Sequence, residues 1–194
     1  PNIMNAKIHQ VKKLSYNNIM DADGALACVR EFDETACVVV KHANPCGVAI
    51  GDDILDVYQR AFNADSLSAF GGIIAFNRTC TKEVADAIAK VFVEIVIAPD
   101  FEKEALEVFK KKKNLRVLEL GKFNKREKKI EIRNVDGGIL VQDTDTKILT
   151  KNDLTIVTKK KPSDQDITTA LFTRKALRHA KSNGILIGNT HTPN

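Results

Sequence analysis

Four short apolar runs, at residues 35–40, 73–76, 93–98 and 115–120, alternate along this chain with segments of helical period. No other feature of the sequence restricts the fold so tightly. Runs this short and rich in β-branched residues have the length of strands covered on both faces. The stretches between and before them, 21–32, 53–63, 82–92 and 101–112, carry apolar residues three and four apart, as a helix with one buried face requires. Asp21 is placed to cap the first of these helices and Thr81 the third. Strands alternating with helices of about 10 to 12 residues predict an α/β layered domain with a largely parallel sheet. The tract Asn44-Pro45-Cys46-Gly47 then reads as a turn, because Pro removes a backbone donor and Gly permits positive φ.

The pattern changes after Gly121. Segments 129–133 and 139–141 flank Asp136-Gly137-Gly138, a hairpin signal. Residues 148–149 and 154–157 predict two more short strands. Ser163, with Asp166 at the capping-box position, predicts a long helix reaching about Ala180, and 184–187 reads as the start of another strand. With no internal repeat and no long linker, one domain is expected. The chain begins at Pro1 without an initiator Met and stops at Asn194 just after an apolar stretch, which reads as a chain cut inside a larger domain.

Hydrophobic residues make up 43% of the chain and charged residues 28%, enough apolar surface for a sizeable core. No apolar run approaches the ~18 to 20 residues a membrane helix needs, and Pro1-Asn2-Ile3-Met4 lacks the pattern of a signal peptide. Cys28, Cys37, Cys46 and Cys80 form no C-x-x-C pair, so they are expected to be reduced core thiols of a cytosolic protein. The net charge of +5 gathers at 110–113, 122–129 and 159–161. The first cluster ends a helix that starts with Asp100, Glu102 and Glu104, an order the helix dipole favours. No aromatic residues interleave with these lysines as a base-stacking platform requires, so a nucleic-acid-binding module is the disfavoured alternative.

Lys41-His42 closes a predicted strand and enters the Pro/Gly tract, while Ser68-Ala69-Phe70-Gly71-Gly72 supplies a second glycine turn. In open α/β sheets ligands gather beyond the carboxyl ends of strands. A His beside a Lys there offers a proton acceptor and a cation together. Taken alone, these residues favour the plainer assignment of a satisfied strand-end histidine and a solvated lysine. Neither turn matches a nucleotide motif. A zinc deaminase site needs H-x-E and P-C-x-x-C; here position 44 is Asn and Cys46 has no partner three residues on, so no metal is expected.

Larger motifs add to this. Leu14-Ser15-Tyr16-Asn17-Asn18-Ile19, Lys41-His42-Ala43-Asn44-Pro45-Cys46-Gly47, Ser68-Ala69-Phe70-Gly71-Gly72-Ile73-Ile74-Ala75-Phe76, Ile97-Ala98-Pro99, Gly137-Gly138-Ile139-Leu140-Val141-Gln142-Asp143 and Lys181-Ser182-Asn183 together resemble the AICAR transformylase domain of the bifunctional purine-biosynthesis family. Two segments depart from that family: Ile8-His9-Gln10-Val11-Lys12, and Phe172-Thr173-Arg174-Lys175-Ala176, where Arg174 replaces a Trp. The resemblance implies a cytidine deaminase-like α/β fold that has lost its zinc, a mixed sheet flanked by helices, and a cut before the second α/β unit. Residues 1–194 would be the first such unit, without the cyclohydrolase domain. It implies formyl transfer from 10-formyltetrahydrofolate to the 5-amino group of AICAR, with room for a monovalent cation and with the active site shared across a homodimer. His42 would be the general base, Lys41 would stabilise charge on the formyl oxygen or help protonate the departing folate nitrogen, and Gly71, Glu94 and Asn183 would contact AICAR. Because the second unit supplies most folate contacts in the family, the isolated chain is expected to hold an incomplete site. An inactive relative serving as a binding or assembly subunit is the alternative.

Overall fold

The structure, a computed structural model, describes residues 2–124 and 128–189. Part of the basic 122–129 segment and the terminal residues 190–194 therefore lie outside the described residues. A six-stranded sheet runs in the order β1-β6-β5-β4-β2-β3. Its strands are β1 (Lys7–Ile8), β2 (Thr35–Lys41), β3 (Asn44–Gly51), β4 (Ile73–Phe76), β5 (Ile95–Ala98) and β6 (Arg116–Glu119). The sheet is mixed, as the family resemblance implies, and not largely parallel as the alternation alone predicts. β4, β5 and β6 are parallel, whereas β2 pairs antiparallel with both β3 and β4, and β1 antiparallel with β6. The cause is local. Only two residues join β2 to β3, and so short a connection permits only an antiparallel pair.

That short connection also corrects the reading of residues 44–47. They are not the turn but the start of β3; the turn is His42-Ala43, with φ +53° and +58°. Two positive φ values in a two-residue loop match the right-handed twist of the flanking strands. The register shifts between Val39 and Val40, so Cys46 is the extra residue of a bulge. Pro45 is tolerated because β3 is an edge strand beside that bulge. Gly47 serves close approach rather than turning. A Cβ there would lie 1.8 Å from the Ala61 carbonyl oxygen of the helix α2 (Ile54–Ala64).

Period-two alternation sends side chains into two cores. Cys37, Val39, Ile74, Phe76, Val96 and Val117 face α2, α4 (Lys82–Ile88) and α5 (Lys103–Lys110). Val38, Val40, Ile73, Ile95, Ile97 and Leu118 face α1 (Tyr16–Val29), with Phe172 and Ala176 of α6 (Asp164–Leu177) closing the same side. A four-residue helix, α3 (Ser66–Ala69), leads into β4. Ser15, not Asp21, caps α1. Its hydroxyl accepts from the Asn18 N–H while the Asn18 side chain accepts from the Ser15 N–H, a reciprocal box that starts the helix six residues early. Thr81 and the Ser163–Asp166 box cap their helices as expected. α4 and α5 end sooner than the periodicity predicts, because Lys90 and Val91, then Lys111 and Lys112, bond three residues back.

The segments 148–149, 154–157 and 184–187 do not form strands; Ile148, Val157, Ile185 and Ile187 are exposed. β7 (Ile130–Val135) and β8 (Gly138–Asp143) do pair, around Asp136-Gly137 with Gly137 at φ +76°. One face of that hairpin carries Ile130, Ile132, Ile139 and Val141, each exposed by more than 60%. α6 is fastened to the turn after α1 by Glu31, which meets Arg178 (3.2 Å) and His179 (3.1 Å) with all three side chains less than 10% exposed. Cys28, Cys37 and Cys80 are buried free thiols and Cys46 is half-buried. Among the described residues no helix is long and apolar enough to cross a membrane.

Gly47→Ala drives a methyl into the α2 backbone and is expected to lower stability by roughly 1–3 kcal/mol. Gly138→Ala, where a Cβ meets nothing within 4 Å, should change it by less than about 0.5 kcal/mol. Urea midpoints of the two variants check the difference.

Candidate functional site

The antiparallel pairing of β2 with β4 brings the carboxyl end of β2 to the amino ends of β4, β5 and β6. The site therefore lies at one strand's carboxyl end and three strands' amino ends, not where an all-parallel sheet would place it.

Lys41 is half-buried at the tip of β2, and its Nζ donates to the carbonyls of Phe70 (2.8 Å) and Gly71 (3.1 Å). An ammonium has three N–H groups, so one is left for a ligand. Gly71 adopts φ +68°, and its N–H donates to the Phe92 carbonyl at 2.8 Å. A Cβ on Gly71 would stand 3.0 Å from Lys41 Nζ and 3.2 Å from Phe92 Cε1. Gly72 is equally confined: an added Cβ would lie 2.8 Å from the Val40 carbonyl oxygen. The two glycines thus let the loop close over the lysine.

His42 is exposed on its turn, and its ring makes no hydrogen bond among the described residues. Left-handed backbone costs an L-residue about 1–2 kcal/mol, and here two consecutive residues that are not glycine adopt it. Such outliers persist where surrounding contacts hold them. Beneath the turn runs α1, where a Cβ on Gly24 would lie 3.9 Å from Ala43 Cα.

Glu94 precedes β5, its N–H donating to the Gly72 carbonyl at 2.9 Å. Its Oε2 accepts from Asn18 Nδ2 (2.6 Å) and faces Arg116 Nη1 (3.5 Å). Oε1 has no protein partner among the described residues. Arg116 is almost fully buried, and its Nε donates to the Lys13 carbonyl at 3.2 Å. Asn18, 6% exposed, does double duty in the α1 cap and on Glu94. Sequence reasoning missed Asn18 and Arg116 as supports. Ser15-x-x-Asn18, a capping-box spacing, was the available signal for the first; a basic residue second in the 115–120 strand run was the signal for the second.

The Lys181-Ser182-Asn183 segment reaches the same region. Lys181 N–H donates to Asn44 Oδ1 at 2.9 Å, and its Nζ donates to the His42 carbonyl at 3.2 Å. Asn183 itself is exposed. Lys41, Gly71 and Glu94 are thus joined by direct bonds through the 70–72 loop, whereas His42 and Asn183 approach through the contacts of Lys181. Burial first, then Asp65, pushes the Cys46 thiol up to about 11. Among the described residues no three His, Cys, Asp or Glu side chains converge as metal ligands.

A sequence model of the family described as AICARFT/IMPCHase bienzyme matches residues 1–192. The bifunctional purine biosynthesis protein PurH of Caldicellulosiruptor saccharolyticus is 46% identical over 186 residues, covering 96% of this chain. The chain spans about a third of that curated relative's length (36%).

Asn18→Ala removes one half of the helix cap and a partner of Glu94. A loss of roughly 1–3 kcal/mol is expected, with Asn18→Ser recovering little because it cannot reach Glu94. Thermal and urea unfolding of the two variants measures this.

Proposed function

The chain belongs to the AICARFT/IMPCHase bienzyme family, and from that premise we propose that it carries the proton-transfer half of an AICAR formyltransferase centre. In this reading residues 1–194 correspond to the first cytidine deaminase-like unit. 10-formyltetrahydrofolate is the formyl donor, and the complete protein works in the cytosol as a homodimer that completes the site.

The chemistry follows from what the reaction lacks. The 5-amino group of AICAR is a poor nucleophile, its lone pair being delocalised into the imidazole and carboxamide. As its nitrogen bonds to the formyl carbon, His42 takes a proton from it. Lys41 presents its remaining N–H to the formyl oxygen, where negative charge develops. The bond from the formyl carbon to the folate nitrogen then breaks, and that nitrogen leaves with the proton that His42 took from the amine. Gly71 admits the substrate close to the backbone, while Glu94 accepts hydrogen bonds through its Oε1 and Asn183 contributes from the 181–183 segment.

The observation that carries this reading is the Lys41 ammonium held by the Phe70 and Gly71 carbonyls beside an exposed, unengaged His42. The pair of carbonyls fixes the cation without neutralising it. Among the described residues no side chain or backbone group bonds the imidazole.

Formyl transfer measured in the full-length protein tests it. His42→Ala should lower kcat by about 10²- to 10⁴-fold, the usual worth of a positioned base, with little change in AICAR affinity. A variant as active as the parent protein would remove His42 from the mechanism.

A further inference from the structure

We propose that Asn44 is a positioning residue that fixes the strained His42-Ala43 turn against the Lys181–Asn183 segment, coupling the orientation of the base to the docking of that segment. The inference rests on the role proposed for His42 and extends it to a residue that touches neither substrate nor reacting atoms.

Four observations converge. Both turn residues adopt left-handed backbone without being glycine, so the turn does not hold itself. Asn44 is the first residue after it, paired with Lys41 across the hairpin. Its side chain works in two directions: Nδ2 donates to the His42 carbonyl at 3.3 Å, and Oδ1 accepts the Lys181 N–H at 2.9 Å. Lys181 Nζ then donates to the same His42 carbonyl at 3.2 Å, closing a ring of contacts.

An amide supplies a donor to one backbone and an acceptor to another from two separate atoms. Asp in its place would keep the acceptor for Lys181 and lose the donor to His42. Ala would lose both. The His42 carbonyl is thereby bonded twice from outside its own turn, and peptide planes so anchored limit the rotations that would swing the imidazole away.

The loss of rate when a reacting group is displaced by on the order of 1 Å reaches about 10²-fold. Two measurements test the proposal. First, amide hydrogen exchange in this chain: Asn44→Ala should speed exchange at Lys181 by about tenfold or more, while Asn44→Asp should keep Lys181 protected. Unchanged protection of Lys181 in Asn44→Ala overturns the clamp.

Second, steady-state formyl transfer in the full-length protein. Asn44→Ala should lower kcat by about 10- to 10²-fold with the AICAR KM within about threefold, and adding Ala43→Gly should recover most of that loss, because glycine favours the turn without help. A loss confined to KM, or no recovery by Ala43→Gly, overturns the positioning role. If His42→Ala proves fully active, the reading of His42 as base fails while the exchange result stands or falls independently.

Discussion

The antiparallel register of β2 against β4 is the constraint on which the rest of the molecule depends. It sets Val40 opposite Ile73, so the tip of β2 meets the loop that opens β4. Lys41 then finds two carbonyls within hydrogen-bonding distance. The parallel run β4-β5-β6 extends from that pair and delivers Glu94 and Arg116 to the same edge. A one-residue slip would exchange the two cores, since alternate residues of β2 and β4 face opposite helical layers. The position of the site and the integrity of the core are therefore fixed by one set of backbone bonds.

Around this edge the structure uses polar groups that are individually modest but mutually oriented. Asn18 is held by the cap of α1 before it meets Glu94. Arg116 is held by the Lys13 carbonyl before it faces the same carboxylate. The Glu94 carboxylate is thus oriented by two groups that are themselves held. Such preorganisation lets a charge act without paying for reorientation when a ligand arrives.

Much of this was legible in the sequence. The strands β2, β4, β5 and β6 follow from apolar runs, and the Thr81 cap, the Ser163–Asp166 box and the Asp136-Gly137 hairpin from their local chemistry. What failed was long-range. Asn44-Pro45-Cys46-Gly47 carries every local mark of a turn, yet it lies in an edge strand because the preceding His42-Ala43 bends the chain without a glycine. No local pattern announces a strained turn held by a residue more than 130 positions away. The segments 154–157 and 184–187 look like strands by composition, but among the described residues they pair with no strand, and apolar residues without a ladder do not make a sheet. At the site, Lys41 Nζ bonds the Gly71 carbonyl across the two glycine-bearing loops. The residues supporting Glu94 were missed because their meeting is set by the sheet rather than by spacing.

The four free thiols give the molecule an internal reporter. Cys28, Cys37 and Cys80 are sealed in the two cores, so a thiol-blocking reagent reaches them only when the layers separate. Cys46 is different, being half-buried at the bulge with its Sγ donating to the Val39 carbonyl at 3.5 Å. Its modification follows the breathing of the β2–β3 hairpin. Slow labelling at three positions and faster labelling at one would separate collapse of the whole domain from local loosening at the tip that carries His42, without any tag or added dye.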